Sequence, residues 1–245
     1  MPNSEIVDEL VMVSFKDKWL EFVGRSEPSF DITSLDKIVI KEIFHENVYA
    51  VEQSDINEGT VIDIGANVGA FTIFASVLGA KRILSLEPDS FNYNILVDNI
   101  GRNNLEGIEA IKLGVLDKES EVDIVNGQGA SFVIGSRELS ENAQKNLDEV
   151  EHFEETIKTI SLNDVFEKYK VSECKVLKVD VEGSEYKIFQ TVSEDVMKKI
   201  NYITMEFHQT DETTFGLMLS KLSMTHRINV LGHHDIGGNL YAKRY

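Results

Sequence analysis

Four small or polar residues recur at every second position of the stretch VIDIGANVGAFT: Asp63, Gly65, Asn67 and Gly69. An apolar run ending in such a turn puts a carboxylate at its base, an amide at its tip and free backbone N–H groups between them. A dinucleotide-binding turn, G-x-G-x-x-G/A, would carry glycine at position 67, where the missing side chain lets the backbone approach a pyrophosphate. This chain has Asn67 there, although Ala70 is an accepted third member. The turn therefore suits a zwitterionic amino-acid group better than a diphosphate. The next apolar run, LSLEP, brings Glu87 to its end, 22 residues after Gly65, where a carboxylate can accept both hydroxyls of a ribose. A ligand with a ribose and an amino acid but no pyrophosphate is S-adenosylmethionine, whose sulfonium carries a transferable methyl group. Gly-x-Asn-x-Gly alone reads as a turn former. Asp63 upstream and Glu87 on the following strand make the combination specific.

A second group of ionisable residues stands at the ends of two later apolar runs. KVLKVD ends in Asp180, followed by Glu182 and Gly183, and YITME ends in Glu206, followed by His208. Ligands in open α/β sheets bind at the carboxyl ends of the strands, so these side chains are expected beside the donor. Lys178, Asp180 and Glu182 alternate and share one face while the chain stays extended. Lys178 needs a partner in so apolar a run, because burying its charge alone is costly. An ion pair with Asp180 or Glu206 that only orders the sheet is its plainer reading. Methyl transfer from a sulfonium is an in-line displacement in which the protein positions the reactants and takes a proton from the acceptor. Asp180 or His208 is the expected general base, with Glu182 holding the acceptor. The alternative is a divalent ion held by Asp180, Glu182, Glu206 and His208. An Asn-Pro-Pro-Tyr loop for exocyclic amines is excluded, since the prolines are Pro2, Pro28 and Pro88. Cys174 precedes a strand and reads as a small buried thiol, not a nucleophile.

The elements that must position these residues follow from patterning. Apolar runs of four to seven residues alternate with stretches of helical period, the signature of a mostly parallel sheet. Strands are expected at Thr60–Ile64, Arg82–Leu86, Ile108–Lys112, Val122–Val125, Lys175–Asp180 and Tyr202–Glu206. Helices are expected at Ala70–Leu78, Ser90–Asn103, Glu185–Val192 and Glu212–Leu222. Met224–Val230 and Asn239–Arg244 lie too close together for a crossover helix and are expected to pair antiparallel. Residues 1–57, with Phe15, Trp19, Phe22, Phe30, Phe44 and Tyr49, fit no crossover unit and read as an N-terminal cap on a domain spanning 58–245. Between Glu138 and Glu155, seven acidic residues accompany one basic residue. This insert reads as a solvated surface helix, with a lid over the substrate as the other possibility.

Composition narrows the partners. The chain has 245 residues, 42% of them apolar, enough for one large core. Its 24 basic against 42 acidic residues give a net charge of −18, which argues against nucleic acid, whose phosphates need clustered Lys and Arg. A single cysteine excludes an internal disulfide framework and a cysteine metal cluster. With no basic segment leading into an apolar one at the start, and no apolar run long enough to span a membrane, a cytoplasmic protein is expected.

The strings VIDIGANVGAFTIFA, LSLEPDSFNYNILVDNI, TISLNDVF and VLKVDVEGSEYKIF resemble the FkbM family of S-adenosylmethionine-dependent methyltransferases, in matching order over roughly Val48 to Glu206. The resemblance implies a class I methyltransferase fold: a Rossmann-like α/β sheet of seven strands, mostly parallel with an antiparallel last strand, and helices on both faces. It implies transfer of a methyl group to a hydroxyl of a sugar, glycan or small natural product. By position, Gly65, Ala66, Asn67 and Gly69 would line the methionine end of the donor, Asp63 would orient the turn and Glu87 would hold the ribose. Val115, in LGVLDKES after the third strand, would wall the adenine. A protein that binds the donor without turning it over remains the non-enzymatic alternative.

Overall fold

The computed structural model describes residues 9–24, 32–127, 130–133 and 153–245. The chain opens with a hairpin, β1 (Glu9–Phe15) and β2 (Lys18–Gly24), then α1 (Ile32–Lys41), a π-helical turn (Glu42–Glu46) and α2 (Gln53–Ile56). It continues through β3 (Thr60–Ile64), α3 (Ala70–Val77), β4 (Arg82–Leu86), α4 (Ser90–Arg102), β5 (Ile108–Ile111), β6 (Gly114–Leu116), β7 (Ser120–Gly127), β8 (Ala130–Val133) and β9 (Phe153–Ser161). The remainder is α5 (Leu162–Lys168), β10 (Cys174–Val179), α6 (Glu185–Thr191), α7 (Glu194–Met197), β11 (Ile200–Phe207), α8 (Glu212–Ser223), β12 (His226–His233) and β13 (Gly237–Arg244).

The main sheet has seven strands in the order β12-β13-β11-β10-β3-β4-β5. Strands β11, β10, β3, β4 and β5 run parallel. The final strand β13 returns antiparallel between β11 and β12. Strands β3 and β10 sit at the centre and are almost wholly buried, which is why they read as continuous apolar runs rather than alternating ones. Their two faces feed two apolar cores. Ile62, Ile64, Leu177 and Val179 pack with Val165 and Phe166 of α5, Phe189 of α6 and Met218 of α8. Val61 and Val176 pack on the other side with Phe71 and Phe74 of α3 and with Leu20, Phe22 and Phe44 of the N-terminal elements. Phe15, Phe22, Phe44 and Tyr49 thus form a second layer over one face of the sheet, whereas Trp19 is exposed and Phe30 lies outside the described residues. Phe44 meets Phe15, Phe22 and Phe74 edge-on at ring-centroid distances of 5.2, 5.6 and 5.5 Å, a favoured aromatic geometry.

One expected strand belongs elsewhere. Val122–Val125 lies in β7, which pairs antiparallel with β8 and β9 in a separate four-stranded sheet of order β6-β9-β7-β8. Its apolar alternation is genuine, but it buries Ile124 and Val125 against that smaller sheet and not in the parallel ladder. The acidic stretch from Glu138 falls, up to residue 152, outside the described residues. Among the described residues no helix is long and apolar enough to cross a membrane.

Candidate active site

The turn after β3 is built on two left-handed glycines and an asparagine. Gly65 has φ +74°, Asn67 +52° and Gly69 +92°. At Gly65 a Cβ would lie 1.8 Å from the carbonyl oxygen of Asp180, so the donor turn and the end of β10 can approach only because that side chain is missing. Gly69 then starts α3. Glu87, at the end of β4, accepts hydrogen bonds from the backbone N–H of Asn67 (2.8 Å) and of Asp89 (3.0 Å). Its carboxyl is buried, and burial pushes its pKa up to about 7 against the opposing pull of those two N–H groups. Each carboxylate oxygen keeps a further lone pair for a ligand hydroxyl.

Beneath the turn runs a buried polar row. Adjacent strands place Ser85, Asp63, Lys178 and Thr204 in register across β4, β3, β10 and β11, all nearly inaccessible to solvent. Thr72 Oγ1 donates to Asp63 Oδ2 at 2.7 Å and lies 2.7 Å from Ser85 Oγ. Lys178 Nζ lies 3.3 Å from Asp63 Oδ1 and 3.6 Å from Asp180 Oδ2, and donates to the Gly65 carbonyl at 2.6 Å. Burial works against its charge, but Asp63 and Asp180 outweigh that effect and raise its pKa. The ion pair expected for Lys178 is therefore made with Asp63 and Asp180; Glu206 is not a direct partner.

An open cleft, with about 670 Å³ of empty space counting its solvent-filled mouth, lies at this carboxyl edge of the sheet. Gly65, Asn67, Glu87, Val115, Asp180 and Glu182 all line it, so the structure brings these sequence candidates together. Asp63, Ala66 and Gly69 do not line it: Asp63 lies buried in the row beneath the turn, and Ala66 and Gly69 belong to the turn itself. The far wall comes from the small sheet, through Ile124, Ile157 and Thr159, which sequence reasoning did not place there. Two buried oxygens of lining residues, Asn67 Oδ1 and Ser184 Oγ, find no hydrogen-bond partner among the described residues. Ser184 has no side-chain signature in sequence beyond its place in the EGSE run.

The expectations for the acceptor side divide. Strand β10 ends at Val179, and Glu182 adopts φ +53°, so the alternation Lys178, Asp180, Glu182 breaks and Glu182 turns toward His208. The His208 ring lies between two carboxylates, Nε2 3.1 Å from Glu182 and Nδ1 2.8 Å from Glu185. Burial lowers its pKa, but the hydrogen bonds and charges of Glu182 and Glu185 prevail and push it up to about 11. With both ring nitrogens engaged by carboxylates, His208 presents no free nitrogen to an acceptor hydroxyl in this arrangement. Asp180, Glu182 and His208 cluster closely enough to offer one ligand atom each to an ion, the divalent-ion alternative read from the sequence. The exposed Glu206 carboxyl is pushed up by the protein around it and by Asp180 and Glu182, with His208 opposing. Cys174, buried at the start of β10 with its thiol 3.2 Å from the Val176 carbonyl, lies at the opposite end of the strand.

A seven-stranded sheet with its antiparallel strand inserted beside β11, and a glycine turn leading from central β3 into α3, defines the class I methyltransferase fold. Residues 63–231 match the methyltransferase FkbM domain, and the chain belongs to that family. Its cofactor is S-adenosylmethionine. The methyltransferase sdnD of Sordaria araneosa is 25% identical over 192 residues, covering 69% of this chain and 74% of that one. A ribosomal protein L11 methyltransferase of Clostridium botulinum is 29% identical over 131 residues, covering half of this chain but only 40% of its own length. Among solved structures, the Streptococcus mutans protein SMU.1697c in complex with SAH superposes with a TM-score of 0.50 at 10% identity, over 83% of this chain and 97% of that one. That likeness concerns the fold alone.

Proposed function

We propose that the protein transfers the methyl group of S-adenosylmethionine to a hydroxyl oxygen of a sugar, glycan or small natural product, with Asp180 as general base. One observation carries this reading. Asp180 stands in the same cleft as Asn67 and Glu87, its Oδ2 already engaged and its Oδ1 accepting no hydrogen bond among the described residues. When bound, the donor supplies an electrophilic methyl carbon that an acceptor oxygen takes in line as the carbon–sulfur bond breaks and its electron pair stays on sulfur. Asn67 Oδ1 is free to accept the donor's ammonium, and Glu87 to accept ribose hydroxyls. Val115 and Leu116, both buried and lining the cleft, offer an apolar wall for the base. Asp180 Oδ1 takes the hydroxyl proton as the new O–C bond forms. His208, as an imidazolium, holds Glu182 at the cleft, where the remaining acceptor capacity of that carboxylate can orient a polyol.

The acidic charge of the chain supports an acceptor that is neither DNA nor RNA, and its lone buried cysteine fits a reducing cytoplasm. Residues 1–57 act as a cap on the catalytic domain 58–245. The test is mass spectrometry of the purified protein incubated with isotope-labelled donor and a panel of sugars, glycolipids, hydroxylated metabolites, RNA and peptides. Label on a hydroxyl oxygen is the expected result. Label on a nitrogen of RNA or of a peptide would overturn the acceptor class, and donor binding without transfer to any acceptor would favour a non-catalytic role.

A further inference from the structure

Tyr49 precedes residues 63–231, which match the FkbM domain, and belongs to the N-terminal layer, yet it reaches the reacting edge of the sheet. Three hydroxyls of the antiparallel side pin the backbone around it. Tyr241 donates to the Val48 carbonyl at 2.6 Å, Thr204 to that of Tyr49 at 2.9 Å and Tyr202 to that of Ala50 at 3.1 Å. The ring packs edge-on against Phe71 at 5.2 Å, with the Lys178 ammonium 5.5 Å from its centroid. Held in this way, the phenol donates to Asp180 Oδ2 at 2.9 Å. Lys178 approaches the same oxygen at 3.6 Å. Both contacts fall on Oδ2, and a carboxylate fixed at one oxygen has its other oxygen fixed in direction as well.

We propose that Tyr49 is a positioning residue for methyl transfer: by occupying Oδ2 it sets the Asp180 rotamer and leaves Oδ1 as the atom that takes the acceptor's proton. This inference rests on the reading of Asp180 as the base. In the step it serves, the hydroxyl proton passes to Oδ1, the oxygen's electron pair forms the bond to the methyl carbon, and the carbon–sulfur pair remains on sulfur. The phenol stays a donor throughout, since burial and then the charges of Asp180 and Glu206 raise its pKa well above the ordinary value. The charged or titratable groups around Asp180 are Lys178 on β10, Asp63 on β3, Glu206 and His208 at the end of β11, Glu182 beyond it, and Tyr49 itself. Of these, the N-terminal layer contributes only Tyr49.

The test compares Tyr49→Phe, Thr204→Val, Asp180→Asn and the Tyr49→Phe/Asp180→Asn double variant on the acceptor giving the fastest transfer in the labelled-donor panel. Tyr49→Phe is expected to lower kcat about 10- to 100-fold, a part of what positioned proton transfer contributes, with the donor Kd unchanged. The acidic limb of its pH profile should move to higher pH, because a hydrogen bond to the charged carboxylate is lost. Thr204→Val releases the backbone pin but keeps the phenol; it should lower the melting temperature and leave that limb in place. In the double variant the Tyr49 change should add almost nothing to the loss from Asp180→Asn, as residues acting through one another do. Incorporating 3-fluorotyrosine at position 49, which keeps the fold and makes the phenol a stronger donor, should move the limb the opposite way. Wild-type kcat and pH profile in Tyr49→Phe, with Asp180→Asn crippled, would overturn the positioning role and spare the base. Full activity in Asp180→Asn would overturn both.

Discussion

Lys178 Nζ donates to the carbonyl of Gly65 at 2.6 Å, a bond that joins the penultimate residue of β10 to the first residue of the donor turn. The same ammonium faces Asp63 and Asp180, so one buried cation ties the turn that holds the donor to the carboxylate that meets the acceptor. Replacing it with methionine leaves Asp63 as a buried charge with its ion-pair partner gone. Such losses cost about 3–5 kcal/mol. Urea unfolding of Lys178→Met should show a destabilisation of that order, and calorimetry should show weakened donor binding in whatever protein remains folded.

Glu87 links donor binding to pH. Its carboxyl is raised to about 7, and the charged form is the one that accepts two hydroxyls strongly. Donor affinity, followed by calorimetry, should weaken as pH falls from 8 to 6, and Glu87→Gln should bind about 1–3 kcal/mol more weakly with little pH dependence. The stability effect has a defined sign. Between the ordinary carboxyl value of 4.5 and about 7 the folded protein holds a proton that the unfolded chain has lost, so this group favours folding less as pH rises. Without donor, the melting temperature of Glu87→Gln relative to the parent should therefore climb across that window.

His208 has a slope of the same sign, but here the charged form is the one the fold stabilises. Its folded value of about 11 lies above the ordinary 6.5, so its stabilising contribution is complete below 6.5 and is lost progressively as pH rises toward 11. The stability difference between the parent and His208→Gln should be largest at pH 6 and shrink at pH 9 to 10, measured by thermal melts at matched salt. Since the imidazolium already bridges Glu182 and Glu185, a chelator such as EDTA should leave turnover unchanged. A reversible loss on chelation would favour the divalent-ion alternative.

Gly65 permits no side chain. Alanine there would meet the Asp180 carbonyl at 1.8 Å and would have to hold φ +74°. Gly65→Ala should lower stability by more than about 1 kcal/mol and abolish donor binding. Gly101→Ala, in α4 with open space around the added carbon, should be neutral or stabilising and serves as the control in the same melting and binding measurements.

The parts of this protein legible in its sequence are those in which chemistry and position travel together along the chain. Strands β3 and β4 end where their apolar runs end, and the turn Gly65–Gly69 follows β3 directly. Asn67 and Glu87 therefore arrive in one cleft by local geometry and a single crossover. Other features needed the register of distant strands. Lys178 and Asp63 stand side by side only because β10 lies next to β3, and apolar periodicity carries no information about which buried run neighbours which. Val122–Val125 has the pattern of a strand in either sheet; pairing with β8 and β9 decided its place. His208 looked like a base by its position after β11, and it took Glu182, turned by a left-handed backbone, and the buried Glu185 to make it a cation. Tyr49 carried no signal beyond being aromatic. Its function depends on a hydroxyl reaching across the sheet to Asp180, and a distance between residues 131 positions apart is set by folding alone.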